Sequence, residues 1–270
     1  MLNIFYYVTN ILLKVISKLF PIKSIKLKIC LGKLSENYFY KKINNKEFIF
    51  YIENYHCYKR YSTIMTKEKA TIRWLDNIKK NEVLWDIGAN IGIYSVYAAK
   101  MKKAKVFSFE PIINSARVLR KNIELNKLQK KINIFVMGLG DKTKKLNLYY
   151  SSNHAGSARH QIIPSNRKLD NFEDIFVYKP DELIKHQILS FPNHIKIDTD
   201  GNELEILNNS KKILSSKKLQ TLCIENEFGK NEKFRKYKII NQLKKYGFIL
   251  THKEMYVLGY NMYFKRINKS

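Results

Sequence analysis

Arginine is scarce in this 270-residue chain. It stands at Arg60, Arg73, Arg117, Arg120, Arg159, Arg167, Arg235 and Arg266, and the other 42 of the 50 basic residues are lysine, spread along the whole length. A net charge of +27 would otherwise suggest a nucleic-acid partner. Base-reading and phosphate-forking surfaces favour the planar arginine fork, so a lysine-rich surface ranks first and an anionic partner or membrane second. Cysteine is rare too. Cys30, Cys57 and Cys223 lie far apart, which excludes a disulfide framework or a metal spacing and points to a reducing compartment. The six histidines form no HxxxH or HExxH pair. No internal repeat or low-complexity linker divides the chain. A hydrophobic share of 45% supports an ordinary core, in one large domain or a domain with an extension.

Residues 1–20 repeat Ile4, Val8, Ile11, Leu12, Val15, Ile16 and Leu19 at helical spacing, with Asn3, Asn10, Lys14, Ser17 and Lys18 on the other face. Lys14 and Lys18 make this segment poor as a membrane span. It has no basic start and no small-residue cleavage site, so it is a weak signal peptide. It reads as an amphipathic helix lying on an anionic membrane surface, or docked on the domain or a partner. "YFYKKI" and "EFIFYI" around Asn44-Asn45-Lys46 read as a β-hairpin. A helix is expected over 66–79. The division is therefore an extension, residues 1–65, and a main domain, residues 66–270.

From residue 82 apolar strands alternate with helices: "VLWDIG", helix 91–101, "KVFSFEP", helix 113–126, "INIFVMG", "IKIDTD", helix 202–215, "TLCIENE" and helix 231–246. Such alternation predicts an α/β fold, a mostly parallel sheet with helices on both faces. "GFILTHKE" and "YNMYFKRI" follow with no helix between them, so one is antiparallel. That makes seven strands. Residues 151–166 read as a loop over the sheet.

"VLWDIGANIG" ends a strand in a tight turn and opens a helix, at the strand end where open α/β sheets bind ligands. Gly88 allows the turn and Gly92 a close helix. The central glycine of a dinucleotide fingerprint is missing, with Ala89-Asn90 in its place. Side chains there hinder a pyrophosphate, and Asp86 repels one. The cofactor is thus expected to be cationic or zwitterionic at this spot, and S-adenosylmethionine fits. Asp86 would receive its amino group directly or through water, and the Gly88–Asn90 backbone would line its methionine part. Glu110 ends the next strand, 22 residues after Gly88, the spacing of an acid that accepts both ribose hydroxyls. A nucleotide-binding or ligand-free Rossmann-like domain is the bland alternative.

These residues resemble the FkbM family of methyltransferases. "DIGANIGIYS" (86–95) is similar to its first motif. "FEP" (109–111) with "NIELN" (122–126) resembles its second region, and "GLGDK" (138–142) the stretch after strand three. "IKIDTDGNELEIL" (195–207) resembles its strand-four motif, and Glu225 falls where the family tends to place an acid. Asp200 stands where glutamate is usual, and Asn202 where an aromatic or apolar residue is common. The resemblance implies a class I methyltransferase fold (Rossmann-like), S-adenosylmethionine as cofactor, and O-methyl transfer to hydroxyls of sugars, polysaccharides or macrolides. It adds Pro111 and Asp141 to the cofactor set of Asp86, Gly88, Ala89, Asn90, Gly92 and Glu110.

A hydroxyl acceptor needs alignment and loss of its proton. Asp198 is expected to orient the acceptor and act as base, with Asp200 holding acceptor or cofactor. Lys196 shares their strand face and would keep them ionised. A buried brace of Lys196, Asp198 and Glu203 around a helix start is the structural alternative. His154 and His160 lie in a loop that could cover the acceptor, and His154 joins the catalytic candidates. Asp198, Asp200, Asn202 and Glu225 offer oxygen ligands, but no spacing requires a metal and none is expected. The expected function is O-methylation of a glycan or glycolipid hydroxyl, in the cytoplasm or at the inner membrane surface. An RNA methyltransferase ranks lower, lacking an "NPPY"-type motif and an arginine stripe. A non-catalytic protein of the same fold is weakened by the presence of Asp86 and Glu110.

Overall fold

The computed structural model describes residues 11, 15, 37–150, 154–157, 171–186, 189–229 and 231–267. The chain divides into two compact units, residues 1–38 and 39–270. In the first, the expected amphipathic helix lies outside the described residues except for Ile11 and Val15, which are helical and exposed.

A hairpin comes first, β1 (Asn37–Ile43) and β2 (Lys46–Ile52), in the second unit from Phe39 onward. Asn44 and Asn45 both adopt positive φ, 45° and 62°. Consecutive left-handed residues make the two-residue turn whose twist suits a hairpin, and asparagine tolerates that region. Helices α1 (Tyr55–Ser62) and α2 (Lys69–Asp76) follow. Asn54 caps α1, its side chain accepting from Cys57 N at 3.1 Å. The sequence reading assigns the hairpin to a separate extension. In the structure Phe48, Phe50, Cys57 and Tyr61 pack with Leu75, Leu84, Val96 and Leu119 in one core.

The main sheet has seven strands. Those in sequence order are β3 (Val83–Ile87), β4 (Lys105–Phe109), β5 (Ile132–Phe135), β9 (His194–Ile197), β10 (Thr221–Glu227), β11 (Phe248–Tyr256) and β12 (Gly259–Arg266). Their spatial order is β11-β12-β10-β9-β3-β4-β5. β12 runs antiparallel to both neighbours, and the five strands from β10 to β5 are parallel. The seven-stranded class I methyltransferase sheet expected from the resemblance is present.

Alternation sorts the side chains. Leu84, Val106, Cys223 and Tyr263 face the layer of α2, α3 (Ile93–Lys102) and α4 (Ile113–Leu125), with the Tyr263 hydroxyl 2.8 Å from Thr71 Oγ1 of α2. Trp85, Phe107, Ile195, Leu222 and Phe264 face the other layer. That layer holds α5 (Pro180–Lys185), α6 (Glu203–Asn208), α7 (Lys211–Ser215) and α8 (Glu232–Lys245). Each fully buried large apolar side chain contributes about 1.5–3 kcal/mol. The single helix expected over 202–215 is two, broken at Asn209-Ser210. Asn209 Nδ2 donates to Glu205 O (2.9 Å) and Ser210 Oγ to Ile206 O (2.7 Å), so polar side chains take carbonyls that the helix would use.

Beyond the seven expected strands there is a second, three-stranded sheet, and the alternating Leu146 and Leu148 read as one strand of it. It comprises β6 (Gly138–Leu139), β7 (Lys144–Tyr149) and β8 (Phe172–Tyr178) in the order β6-β8-β7. "INIFVMG", read as one strand, leaves the main sheet at Phe135 and enters this one at Gly138. Among the described residues no helix is long and apolar enough to cross a membrane.

Candidate active site

Two clefts open at the carboxyl ends of β3, β4 and β9, on either side of the turn that follows β3. The first is about 720 Å³ including its open mouth. Its walls are Gly88, Asn90, Phe109, Glu110, Pro111 and Ile112, then Met137–Leu139 from the β5–β6 connection, Leu148 and Ile175 from the small sheet, and Asp198–Asp200. The second, about 480 Å³, is lined by Thr63, Ile64, Lys67, Glu68, Ala89, Ile93, Tyr94 and Lys196 among others. Arg60, Gly88, Asn90 and Asp198 belong to both.

The turn is drawn tight by its own hydrogen bonds. Gly88 N and Ala89 N donate to Phe109 O (2.9 and 3.0 Å), Asn90 N to Glu110 Oε2 (2.7 Å), Ile91 N to Asn90 Oδ1 (2.9 Å) and Gly92 N to Ala89 O (2.8 Å). Every N–H from residue 88 to 92 is therefore engaged, and none is left to cradle a phosphate. Gly88 has φ 80°, and a Cβ there would fall 1.8 Å from Asp198 O. Gly92 has φ 81°, and its Cβ would meet Leu119 Cδ1 at 1.9 Å. Gly92 thus packs α3 on α4 and lines neither cleft.

Glu110 is buried at the wall of the first cleft. Its Oε1 accepts from Ile112 N at 2.9 Å and its Oε2 from Asn90 N at 2.7 Å. One lone pair on each oxygen is left over, the arrangement that receives two vicinal hydroxyls. Burial pushes its carboxyl up to about 7, against the pull of the two backbone donors, and the charge of Asp200 adds to the rise. Beyond it, Phe109, Ile112, Met137, Leu139, Leu148 and Ile175 make an apolar slot that suits a purine. The residues fit an adenosine-bearing cofactor without phosphates. Asp200 has φ 54° and faces the same cleft.

Asp198 continues β9 past Ile197, its backbone N–H donating to Ile87 O at 3.0 Å. Its carboxylate accepts from Lys196 Nζ at 2.6 Å. Lys196 is 2% exposed and Asp198 keeps 29% of its side chain exposed, so the open side of the pair belongs to the aspartate. Burial alone would raise its carboxyl; Lys196 and a hydrogen bond from Glu225 overcome that and hold it well below the usual carboxylate range. Glu225 itself is driven far up by burial and by the Asp198 charge. Between the two acids the proton is thus favoured on Glu225, which also accepts from Tyr256. Lys196 stays protonated: its burial is outweighed by Asp198, Asp86 and Glu68, and its ammonium sits 4.9 Å above the Tyr94 ring.

Four expected site residues stand elsewhere. Asp86 pairs in register with Lys196 beneath the turn and lines neither cleft. Its Oδ2 accepts from Ser95 Oγ at 2.5 Å and its Oδ1 has no hydrogen-bond partner among the described residues. Burial raises its carboxyl, with Lys196 opposing. Its place is below the turn, balancing Lys196, because β3 points it into the core and not over the strand end. Gly92 acts through packing, as described. Asp141 is exposed in the turn after β6, where the chain has already left the main sheet; Met137–Leu139 of the same stretch reach the cleft instead. His154 is exposed as well. Its turn matters through backbone: Asn54 Nδ2 donates to Ala155 O (2.9 Å), Arg60 Nε to Gly156 O (2.6 Å) and Asn90 Nδ2 to Ser157 O (2.7 Å). His160 and Arg159 lie outside the described residues. Glu203 does brace the loop, accepting from Thr199 N, Thr199 Oγ1 and Gly201 N, all at 3.1 Å, but not jointly with Lys196. His194 lies at the far end of β9, between Thr221 Oγ1 and Glu82 Oε2.

Strand order, a cleft at the parallel strand ends, a turn without free N–H groups and a ribose-type acid define a class I methyltransferase fold. Residues 86–250 match the profile of the methyltransferase FkbM domain, and the chain belongs to that family. Its domain is an S-adenosylmethionine-dependent methyltransferase domain. Over 150 residues the chain is 27% identical to the hexuronic acid methyltransferase AglP of Haloferax volcanii, covering 55% of this chain and 59% of that protein. It is 32% identical over 92 residues to the methyltransferase sdnD of Sordaria araneosa, 34% of this chain and 35% of that one. It thus spans less than two thirds of either relative. A precorrin-6y C5,15-methyltransferase structure from Geobacter metallireducens superposes with a TM-score of 0.45 at 13% identity, covering 74% of this chain and 87% of that one.

Proposed function

We propose that this protein transfers a methyl group from S-adenosylmethionine to a hydroxyl of a sugar, in a polysaccharide or glycolipid. The observation that carries the reading is Asp198, an ionised and partly open carboxylate at the junction of an adenosine-shaped cleft and a polar one. The cofactor supplies an electrophilic methyl on a cationic sulfur. Glu110 holds the ribose, and the slot of Phe109, Met137 and Leu139 takes the base. Asp198 accepts a hydrogen bond from the acceptor hydroxyl and points its oxygen along the line of attack. Held so low by Lys196, it is a weak base while the hydroxyl is neutral. It takes the proton as the oxygen gains positive charge, when that proton has become strongly acidic. Glu225 stays protonated, so the second acid supports Asp198 without competing for the proton. Asp200 faces the cleft beside Glu110 and helps hold the ligand there.

A carbohydrate acceptor is supported by the relative named for hexuronic acid and by the absence of an arginine stripe. The protein would then work in the cytoplasm, with residues 1–30 touching an anionic membrane; loss of liposome flotation on their removal is the expected result. The activity test is transfer of labelled methyl from S-adenosylmethionine to uronic glycosides, neutral glycosides and RNA transcripts in parallel. Label in a glycoside is expected. Label in RNA alone would refute the reading. D198N should keep its affinity for S-adenosylhomocysteine and lose at least about 100-fold in turnover, within the range removed with a general base.

A further inference from the structure

Charges in and around the second cleft pair off, with one exception. Lys196 is matched by Asp198 at 2.6 Å and Lys67 by Glu68 at 3.0 Å. Arg60 has no carboxylate within ion-pair distance among the described residues. Its Nε donates to Gly156 O at 2.6 Å and its Nη2 to Ser157 O at 3.4 Å. Two carbonyls hold the guanidinium in place without neutralising it, and Nη1 is not used by either bond. The side chain rises from α1, outside the span of the family match, and lines both clefts. Its field reaches Asp198 and Glu110, lowering both. Fixing an unpaired cation between two ligand clefts is worthwhile where a ligand brings an anion to that point. The turn N–H groups, all engaged, cannot serve it.

We propose that Arg60 is a carboxylate anchor at the junction of the clefts. It rests on the methyltransferase reading above. A carboxylate could come from the amino-acid end of the cofactor or from an acidic sugar acceptor, and both would form a charge-assisted pair with the guanidinium. In either case Arg60 sets where the acceptor oxygen and the methyl meet, since it is fixed to the turn 154–157 and stands beside Asp198.

Calorimetry on the full chain separates the sources. S-adenosylhomocysteine carries the carboxylate; 5′-methylthioadenosine keeps the adenosine and lacks the amino-acid end. R60Q should lower affinity for the first by about 10- to 100-fold, the value of hydrogen bonds to a charged group, and leave the second unchanged if the cofactor is the source. If the acceptor is the source, both nucleosides bind R60Q as they bind wild type. Glucuronate, titrated with and without S-adenosylhomocysteine, then loses binding while glucose does not change. R60K, which keeps the charge and loses the fork, should fall between. An equal loss for both nucleosides would mean that Arg60 only supports the turn, and no change for any carboxylate ligand would mean that it anchors nothing; either overturns the proposal. If wild type binds neither nucleoside, the cofactor reading has failed, and the glucuronate titration alone decides Arg60.

Discussion

If Glu110 holds the ribose as proposed, it makes cofactor affinity rise with pH. In the free protein its carboxyl is raised to about 7, first by burial. A ribose diol donates to the ionised form, so binding pulls the value back down and releases a proton. With a free value of about 7, the ionised fraction is about 0.9 at pH 8 and about 0.1 at pH 6. Affinity for S-adenosylhomocysteine should therefore rise about tenfold between pH 6 and pH 8, about 1.4 kcal/mol, and level off above. Calorimetry in buffers of different ionisation enthalpy should show close to one proton released at pH 6 and almost none at pH 8.5. E110Q removes the charge and sets an amide N–H against one of two backbone donors, Asn90 N or Ile112 N. It should bind about 10- to 100-fold more weakly at pH 8 and show no pH slope from this site. Glu203 also lies at about 7, raised by burial, but its partners are loop donors from residues 199 and 201. The slope lost on going to E110Q therefore isolates Glu110. Wild-type affinity that is flat from pH 6 to pH 8, with no proton release, would refute the assignment of Glu110 to the ribose.

Two further outcomes test the frame of the site. G88A meets backbone at 1.8 Å with φ 80°, whereas G247A has φ 79° and open space. Both should carry the left-handed strain of about 1–3 kcal/mol, but only G88A should lose more and abolish S-adenosylhomocysteine binding; equal melting temperatures for the two would show that the turn yields. K196M leaves Asp198 without its cation and should cost about 3–5 kcal/mol in chemical denaturation, while K196M/D198N should recover part of that loss. Additive effects in that double-mutant cycle would mean that the pair at 2.6 Å contributes no coupling.

The parts of this site that sequence reveals are those governed by backbone geometry. Gly88 needs a left-handed turn, Glu110 must fall one strand over at a set distance, and Asp198 shares strand parity with Lys196; period and spacing carry all three. Parity also places Asp86 with Lys196, yet it cannot say that β3 ends one residue too late for Asp86 to reach the cleft. Asp141 fails for the same kind of reason: its distance from β5 along the chain is right, but the chain turns away at Gly138 into a second sheet. That sheet had a signal, since Leu146 and Leu148 alternate with polar Lys145 and Asn147 along β7. Nothing local marks Arg60 or Glu68 as wall residues. Arg60 sits on α1, whose Asn54 cap and buried Cys57 and Tyr61 already explain the helix, and Glu68 just precedes α2; α1 is brought to the cleft by Tyr61 stacking on Phe50 and Asn54 gripping Ala155. On the proposed function, the legible residues would hold the cofactor and aim the acceptor oxygen, and the illegible ones, set by long-range docking of α1 and α2, would line the rest of the clefts. Acceptor specificity would then rest on the part of the site that no motif records.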